Sequence, residues 1–211
     1  MSAYYRRNLP HYQPDDVVIF ITFRLAGSLP LEILSKLKSE RKHELHKFPA
    51  SEKYDIEKKH FDRYDAWLNN YQDSPKWLSK KEIATIVAEK IKDLSGKHYH
   101  LLAYCIMPNH VHLLIRNTRS TQVSSQQRIT AKYPVANWLR LLKGNTARKC
   151  NQALQRSGAF WQHESYDHVV RNEEELGRII HYILNNPVKA GLVKDWKDWA
   201  FTYANPEMGE W

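Results

Sequence analysis

The sequence has few of the features on which secreted and membrane proteins depend. Cysteine occurs only twice, at Cys105 and Cys150, and no CxxC pair is present, so we expect neither a disulfide framework nor a cysteine metal site. No apolar run approaches the roughly 20 residues of a membrane-spanning helix, and the polar start MSAYYRRNLP lacks a signal-peptide core. We therefore expect a cytoplasmic protein that does not enter the membrane.

Acidic residues are also absent from one long stretch of the chain. No Asp or Glu lies between Asp93 and Glu164, whereas ten Lys and Arg residues do, and the formal net charge of the chain is +9. A solvated protein face normally carries charges of both signs. The imbalance therefore favours a polyanionic partner, and nucleic acid before membrane. A nucleic-acid enzyme and a passive binder both fit this composition.

The remaining composition predicts one packed domain over residues 1–211. Hydrophobic residues make up 42% of the chain and aromatic residues 12%, which is enough for a core. Residues 31–75 differ, because they are rich in Lys and Glu and are interrupted by Pro49. Apolar residues at helical spacing predict two helices over 31–70, forming an insertion. This insertion could contact DNA, mediate dimerisation or cover a sheet edge.

Outside the insertion, strand and helix patterns alternate. Apolar, β-branched runs predict strands at 17–25, 99–107, 110–116 and 159–170. Helices are predicted from Ser79, with Glu82 completing a capping box, at 135–155, and from Asn172 to Pro187. The order predicts an α+β fold, in which an antiparallel sheet carries its helices on one face.

Two histidines stand on the predicted strand at 110–116. Alternate side chains of a strand point to opposite faces, so His110 and His112 share one face while Val111, Leu113 and Ile115 share the other. Two neutral imidazoles at this separation are a natural pair of ligands for a divalent metal ion. The alternative is a pair of hydrogen-bonded or exposed histidines with no ligand.

A tyrosine and an asparagine share a face of the last predicted helix. The apolar stripe of that helix consists of Leu176, Ile179, Ile180, Ile183 and Leu184. Tyr182 falls off this stripe, and Asn186, four residues later, lies on the same side as Tyr182, so their side chains can address one site. The alternatives are a core aromatic residue and an Asn that ends the helix before Pro187.

Several segments resemble the REP-associated tyrosine transposases, which belong to the single-tyrosine HUH endonuclease superfamily. MPNHVHLL at 107–114 resembles the HUH motif, and YILNNPVKAGLV at 182–193 resembles the tyrosine-bearing helix and its following turn. FWQ at 160–162, SYDHVVR at 165–171 and the opening YRR at 5–7 are similar to the same family. The resemblance runs from about Tyr5 to Trp199 and is interrupted by the insertion.

The resemblance implies a fold, an activity and a set of site residues. Family members cut and join single-stranded DNA on a ferredoxin-like sheet, the HUH endonuclease fold. By motif position, His110 and His112 would bind one Mg²⁺ or Mn²⁺, and Tyr182 would be the nucleophile that forms a 5′-phosphotyrosine. Asn186 stands where related insertion-sequence transposases have a Gln as third metal ligand. The implied partner is single-stranded or hairpin DNA of the REP type, and a monomer or a homodimer would serve.

Four other residues are weaker candidates for the chemistry. Tyr166 lies beside Asp167 and His168 and is a second candidate nucleophile, although its predicted strand favours packing. His163, Glu164 and Asp167 would supply a ligand or base only if this segment crosses the site.

Basic residues after the histidines are candidate phosphate contacts. Arg140, Lys143 and Arg148 share one side of the helix at 135–155, with a solvated helix face as the alternative. Arg6 and Arg7 in the N-terminal arm are candidates to hold a DNA hairpin. Because the acid-free stretch contains both histidines, we expect the DNA path beside them. A DNA-binding regulator without turnover and a metal-dependent nuclease that uses water are the alternative functions.

Overall fold

The computed structural model describes residues 17–117 and 134–209, so Arg6 and Arg7 lie outside the described residues. The strands are β1 (Val17–Leu25), β2 (His100–Ile106), β3 (His110–Asn117), β4 (Trp161–Val169) and β5 (Thr202–Ala204). The α-helices are α1 (Leu31–Lys47), α2 (Lys53–Asn70), α3 (Lys81–Leu94), α4 (Pro134–Ala153) and α5 (Glu173–Lys189). Within these ranges, no helix has the length and apolar content to cross a membrane.

The strands form one antiparallel sheet in the order β4-β1-β3-β2-β5. Strands β1 to β4 have the ferredoxin-like arrangement. In chain order, the β2–β3 hairpin comes after β1 and its helices and before the helix that leads to β4. The predicted α+β fold is therefore confirmed. In this register His112 pairs with Thr22 on β1 and with Cys105 on β2, which places the histidines in the middle of the sheet.

Helices cover both faces of the sheet, so the prediction of a single covered face is wrong. On the first face, Ile19, Ile21 and Phe23 of β1 pack with α3 and α4. On the second face, Phe20 packs with α5 and with Phe61 of α2. The physical reason lies in β1, whose side chains are apolar at almost every position and need burial on both sides.

The insertion forms two helices, as predicted, and it packs onto the second face. Ion pairs join α1 to α2, with Arg41 Nη2 2.6 Å from Glu57 Oε1 and Arg63 Nη2 2.7 Å from Glu44 Oε1. The ring of Phe61 meets that of Phe20 edge to face, with 5.3 Å between centroids. Covering the sheet in this way brings α2 close to the histidines.

Two predicted helix ends are wrong. Helix α3 begins at Lys81 without a side-chain cap, and the Ser79 hydroxyl instead donates to the carbonyl of Lys76 within a 3₁₀ turn. Helix α5 continues past Pro187 to Lys189. A proline in the last turn removes only one backbone donor there, so the helix can pass through it at a small cost.

The predicted cap of α5 is confirmed and supports a stability prediction. Asn172 Oδ1 accepts a hydrogen bond from the Glu175 amide at 2.8 Å. We expect Asn172→Ala to lower the free energy of unfolding by about 1 kcal/mol, because a buried helix amide loses its acceptor. Urea denaturation measures this change. Asn185→Ala, at a half-buried position of the same helix where the amide only bonds back to His181, is the control, and an equal loss there would contradict the capping role.

Candidate metal and tyrosine site

The two histidines lie on the second face of the sheet and are completely buried. Their Nε2 atoms are 3.0 Å apart. His110 Nδ1–H donates to Asn109 Oδ1 at 2.6 Å, and His112 Nδ1 lies 2.8 Å from the Thr22 hydroxyl oxygen. These outer contacts fix both rings, and the Nε2 atoms therefore converge on one point, as in metal-ligating histidines.

An acidic residue of the insertion joins the histidines. Asp65 on α2 is 6% exposed, and its Oδ1 lies 3.3 Å from His112 Nε2 and 3.9 Å from His110 Nε2. Its Oδ2 accepts a hydrogen bond from Asn69 at 2.9 Å, whereas Oδ1 is buried without a hydrogen-bond partner of good geometry among the described residues. The arrangement leaves one carboxylate oxygen facing the two Nε2 atoms.

Asp65 is not among the residues predicted for the site, although the sequence carries a signal for it. On α2 the buried positions Phe61, Asp65 and Leu68 follow helical spacing. An acidic residue inside such an apolar stripe must be desolvated, and this is rare unless it is paired or binds a metal ion.

Tyr182 and Asn186 reach the same point from α5, as their shared helix face predicts. The Tyr182 hydroxyl oxygen lies 3.4 Å from His112 Nε2, and Asn186 Nδ2 lies 3.1 Å from the same ring nitrogen. Asn186 is 1% exposed, and its Oδ1 is buried without a hydrogen-bond partner among the described residues. The Tyr182 ring packs edge to face on Phe20 at 6.0 Å, so the ring is fixed in place.

The protonation states at this site follow from burial and charge. Burial and the neighbouring His112 lower the pKa of His110 to about 3, so its imidazole is neutral at pH 7. Burial acts to raise the pKa of Asp65, but its contact with His112 lowers it below its usual value. Burial and the charge of Asp65 raise the pKa of Tyr182 well above 10, which keeps its hydroxyl protonated.

These donors fit a divalent metal ion. Asp65, His110 and His112 each offer one ligand atom, and the three atoms lie within 4.8 Å of one another. Two ligands at right angles around an octahedral ion, with bonds of about 2.1 Å, are about 3.0 Å apart, which matches the 3.0 Å between the Nε2 atoms. The neutral imidazole of His110 and the ionised carboxylate of Asp65, whose Oδ1 has no hydrogen-bond partner of good geometry among the described residues, are in the states that metal binding requires.

The weaker candidates for the chemistry lie elsewhere. Tyr166 is on the second face, but its ring packs on Phe61 at 4.5 Å, and it makes no hydrogen bond to a histidine among the described residues. His163 and Glu164 are exposed at the far end of β4. Asp167 pairs with Ile21 and lines a groove on the first face, where burial raises its pKa to about 7.

The basic side chains of α4 lie on the opposite face of the sheet from the histidines. Helix α4 packs on the first face together with Val111 and Leu113, since the pleat of β3 separates them from His110 and His112. The expectation that this positive charge surrounds the histidines is therefore wrong for α4.

On the first face, a groove of about 510 Å³ lies between α4 and β4 and is lined in part by Arg140 and Lys143. Arg140 and Arg148 are exposed. The Lys143 ammonium donates to the carbonyls of Gln162 and His163, at 3.0 and 3.1 Å. Lys143 thus ties α4 to the edge strand.

Comparison with known proteins places the chain in a family. Residues 66–186, more than half of the chain, match the family model described as "Transposase IS200 like". The chain belongs to the IS200-like transposase family. His110, His112, Tyr182 and Asn186 all fall inside the matched segment, whereas Asp65 precedes it by one residue.

Individual relatives agree with the resemblance found in the motifs. A Haemophilus influenzae protein that carries the name REP-associated tyrosine transposase is 31% identical over 110 residues. The alignment covers 50% of this chain and 60% of the relative's length. A solved REP-associated tyrosine transposase bound to a REP hairpin shows 17% identity and a TM-score of 0.49, over 96% of this chain and 82% of that one.

Proposed function

We propose that this IS200-like transposase nicks and rejoins single-stranded DNA at hairpin sequences of the REP type. The reaction would depend on Mg²⁺ or Mn²⁺ and pass through a covalent 5′-phosphotyrosine on Tyr182. The observation that carries the proposal is the convergence of the Tyr182 hydroxyl, two buried imidazoles and an ionised carboxylate within a few ångströms. A hydrophobic core does not require this combination, because burying each polar group costs desolvation free energy.

In this proposal Asp65, His110 and His112 would hold the metal ion, and Asn186, whose Nδ2 lies 3.1 Å from His112 Nε2, would turn its amide to offer Oδ1. A bound divalent cation supplies Lewis acidity, which stabilises the charge developing on the phosphate and favours the ionised phenol. Thr22 and Asn109 hold the two imidazoles in the orientation required for binding.

Tyr182 would perform the covalent step. Its hydroxyl would give up its proton to water as the oxygen attacks phosphorus, the bond from phosphorus to the 3′ oxygen would break, and the leaving oxygen would take up a proton from water to become a free 3′-OH. The tyrosine ester conserves the energy of the phosphodiester, so a second 3′-OH can displace Tyr182 and rejoin the strand without ATP. Because Phe20 and Phe61 pack on the Tyr182 ring, the hydroxyl is held beside the histidines, and its side chain loses little conformational entropy when it attacks.

The DNA backbone would contact basic groups away from the metal site. We propose phosphate contacts for the exposed Arg140 and Arg148, with Lys143 at the same groove, and for Arg6 and Arg7 of the N-terminal arm. Lys143 would act partly by holding β4, since its ammonium already bonds two carbonyls. Such contacts add affinity without reading sequence.

A cleavage assay on hairpin oligonucleotides with a single-stranded flank tests this function. We expect the wild-type protein with Mn²⁺ or Mg²⁺ to yield a product that remains attached to the protein on a denaturing gel, and EDTA to prevent it. Cleavage without an attached product would show a nuclease that uses water. Tight binding of hairpin DNA with no cleavage under any metal condition would show a regulator without turnover. Either result would overturn the proposal.

A further inference from the structure

A cleft of about 210 Å³ opens beside Tyr182, where the insertion meets the transposase fold. Its walls come from α2 on one side and from β1, β4 and α5 on the other. The walls are rich in aromatic rings, which belong to Phe20, Tyr54, Phe61, Tyr166 and Tyr182. Tyr182 borders both the cleft and the metal site. The metal site lies deeper, since its histidines are completely buried.

The rim of the cleft carries more acidic than basic side chains. Glu57 is held by Arg41, and Glu175 accepts from the Arg171 amide at 2.8 Å and lies 2.9 Å from His168 Nε2. Asp62 is exposed and forms no ion pair within the described ranges. Lys58 and Arg178 also line the cleft, so the rim is not strongly negative as a whole, and its feature for recognition is the Asp62 carboxylate, which attracts a group with N–H donors.

We propose that the cleft binds one unpaired nucleobase of the DNA strand, stacked on Tyr54 and with an amino edge turned to Asp62. The inference rests on the proposed function, for which it specifies how the substrate is held. Aromatic side chains provide stacking surfaces for any base. The cleft is smaller than the roughly 300–1,000 Å³ of pockets for drug-sized ligands, so its volume suits a single ring system.

The chemistry of the rim also predicts a preference among the bases. Carboxylates accept hydrogen bonds from the exocyclic amino groups of cytosine, adenine and guanine, as they do in base recognition elsewhere. Thymine has no amino group, and its one N3–H donor lies between two carbonyl oxygens, which a carboxylate repels. We therefore expect the cleft to favour an amino-bearing base over thymine.

The position of the cleft fixes which base it holds. The Tyr182 ring lines the cleft, while its hydroxyl oxygen lies 3.4 Å from His112 Nε2. A base in the cleft would therefore belong to a nucleotide next to the phosphate that Tyr182 attacks. This gives the insertion two duties, since α2 supplies Asp65 to the metal site and Tyr54, Phe61 and Asp62 to the cleft.

Single-stranded oligonucleotides with one 2-aminopurine test the stacking. The probe is moved along the strand and its fluorescence is measured with wild-type protein in EDTA, where no cleavage occurs. We expect strong quenching at one position, because stacking on an aromatic ring quenches 2-aminopurine. Tyr54→Leu should remove this quenching and weaken binding about 5- to 100-fold, which corresponds to the loss of one stacked base.

Two matched variants separate stacking from a loss of fold. Tyr54→Phe keeps the ring and loses only the hydrogen bond from the Tyr54 hydroxyl to Glu175, so it should bind like the wild type. Trp67→Leu removes another aromatic residue of α2, one that is 41% exposed and does not line the cleft, and it should have no effect. Equal losses in Tyr54→Leu and Trp67→Leu would overturn the proposal.

Asp62→Asn tests the base preference. At the quenched position, wild-type protein should bind a strand with cytosine several-fold more tightly than one with thymine. The amide of the variant can donate as well as accept, so this preference should disappear while the stacking of 2-aminopurine persists. A wild-type protein that binds both strands equally would contradict the role of Asp62.

The outcomes distinguish this proposal from the proposed function. If the wild type forms the covalent adduct but no position is quenched, the cleft proposal is wrong and the function stands. If quenching in EDTA depends on Tyr54 but no adduct forms on any hairpin with metal, the cleft binds a base and the nicking function is wrong.

Discussion

Tyr182→Phe is expected to abolish the covalent protein–DNA adduct while leaving DNA binding intact. The change removes only the hydroxyl, so the ring keeps its contacts with Phe20 and Phe61 at 6.0 and 5.8 Å. Among the described residues, Tyr182 is the tyrosine whose hydroxyl lies within hydrogen-bond distance of a His112 ring nitrogen. Loss of a nucleophile lowers turnover by at least about 10³-fold. The rate of adduct formation on a labelled hairpin oligonucleotide measures this loss of turnover.

Tyr166→Phe is the matched control for that experiment. Tyr166 is also an aromatic hydroxyl on the second face of the sheet, but its ring packs on Phe61 and borders the cleft without a hydrogen bond to either histidine. We expect this variant to form the adduct at a rate close to that of the wild type. If Tyr166→Phe instead of Tyr182→Phe removed the adduct, the assignment of the nucleophile would be wrong.

The sequence predicts those parts of the site that depend on one element at a time. Strand alternation places His110 and His112 on one face, and helical spacing places Tyr182 and Asn186 on one side of α5. Both are local rules, and the structure brings the four side chains together. The resemblance to REP-associated transposases also rests on short continuous segments, each of which covers one element and the turn next to it.

Asp65 could not be placed in the same way, because its role depends on where the insertion packs. Helical spacing shows that Asp65 shares the buried stripe of α2 with Phe61 and Leu68. It does not show which face of the sheet that stripe covers, since β1 is apolar on both faces. The expectation that the basic residues of α4 lie beside the histidines is wrong for a related reason. The distribution of charge along the sequence does not show which face of the sheet a helix covers.

Local rules also fail where their cost is small. The rule that a proline ends a helix gives Pro187 as the end of α5, but the helix runs on to Lys189. Only one backbone hydrogen bond is at stake in the last turn, and the packing of Ile180, Ile183 and Leu184 on the sheet outweighs it.

Asp65→Ala is expected to weaken Mn²⁺ binding at least tenfold, because it removes the ionised carboxylate and leaves two imidazoles and an amide. Changes to groups that only orient ligands already cost about 10- to 100-fold in metal affinity. Isothermal titration with Mn²⁺ measures the affinity directly. Thermal unfolding gives a second readout, since a metal ion at 100 times its Kd stabilises the wild type by about 2.7 kcal/mol, and much of this gain should vanish in the variant.

The stability of Asp65 variants without metal shows whether the loss of Mn²⁺ affinity comes from the missing ligand or from unfolding. The contact with His112 lowers the pKa of Asp65 below its usual value, so its ionised carboxylate stabilises the metal-free fold at pH 7 and Asp65→Asn should lower that stability while leaving the protein folded. Asp55→Asn, an exposed acid on the same helix, controls for long-range charge and should bind Mn²⁺ normally. If Mn²⁺ affinity survived Asp65→Ala but fell in Asn186→Ala, the third ligand would be the amide on α5, and α2 would only cover the site.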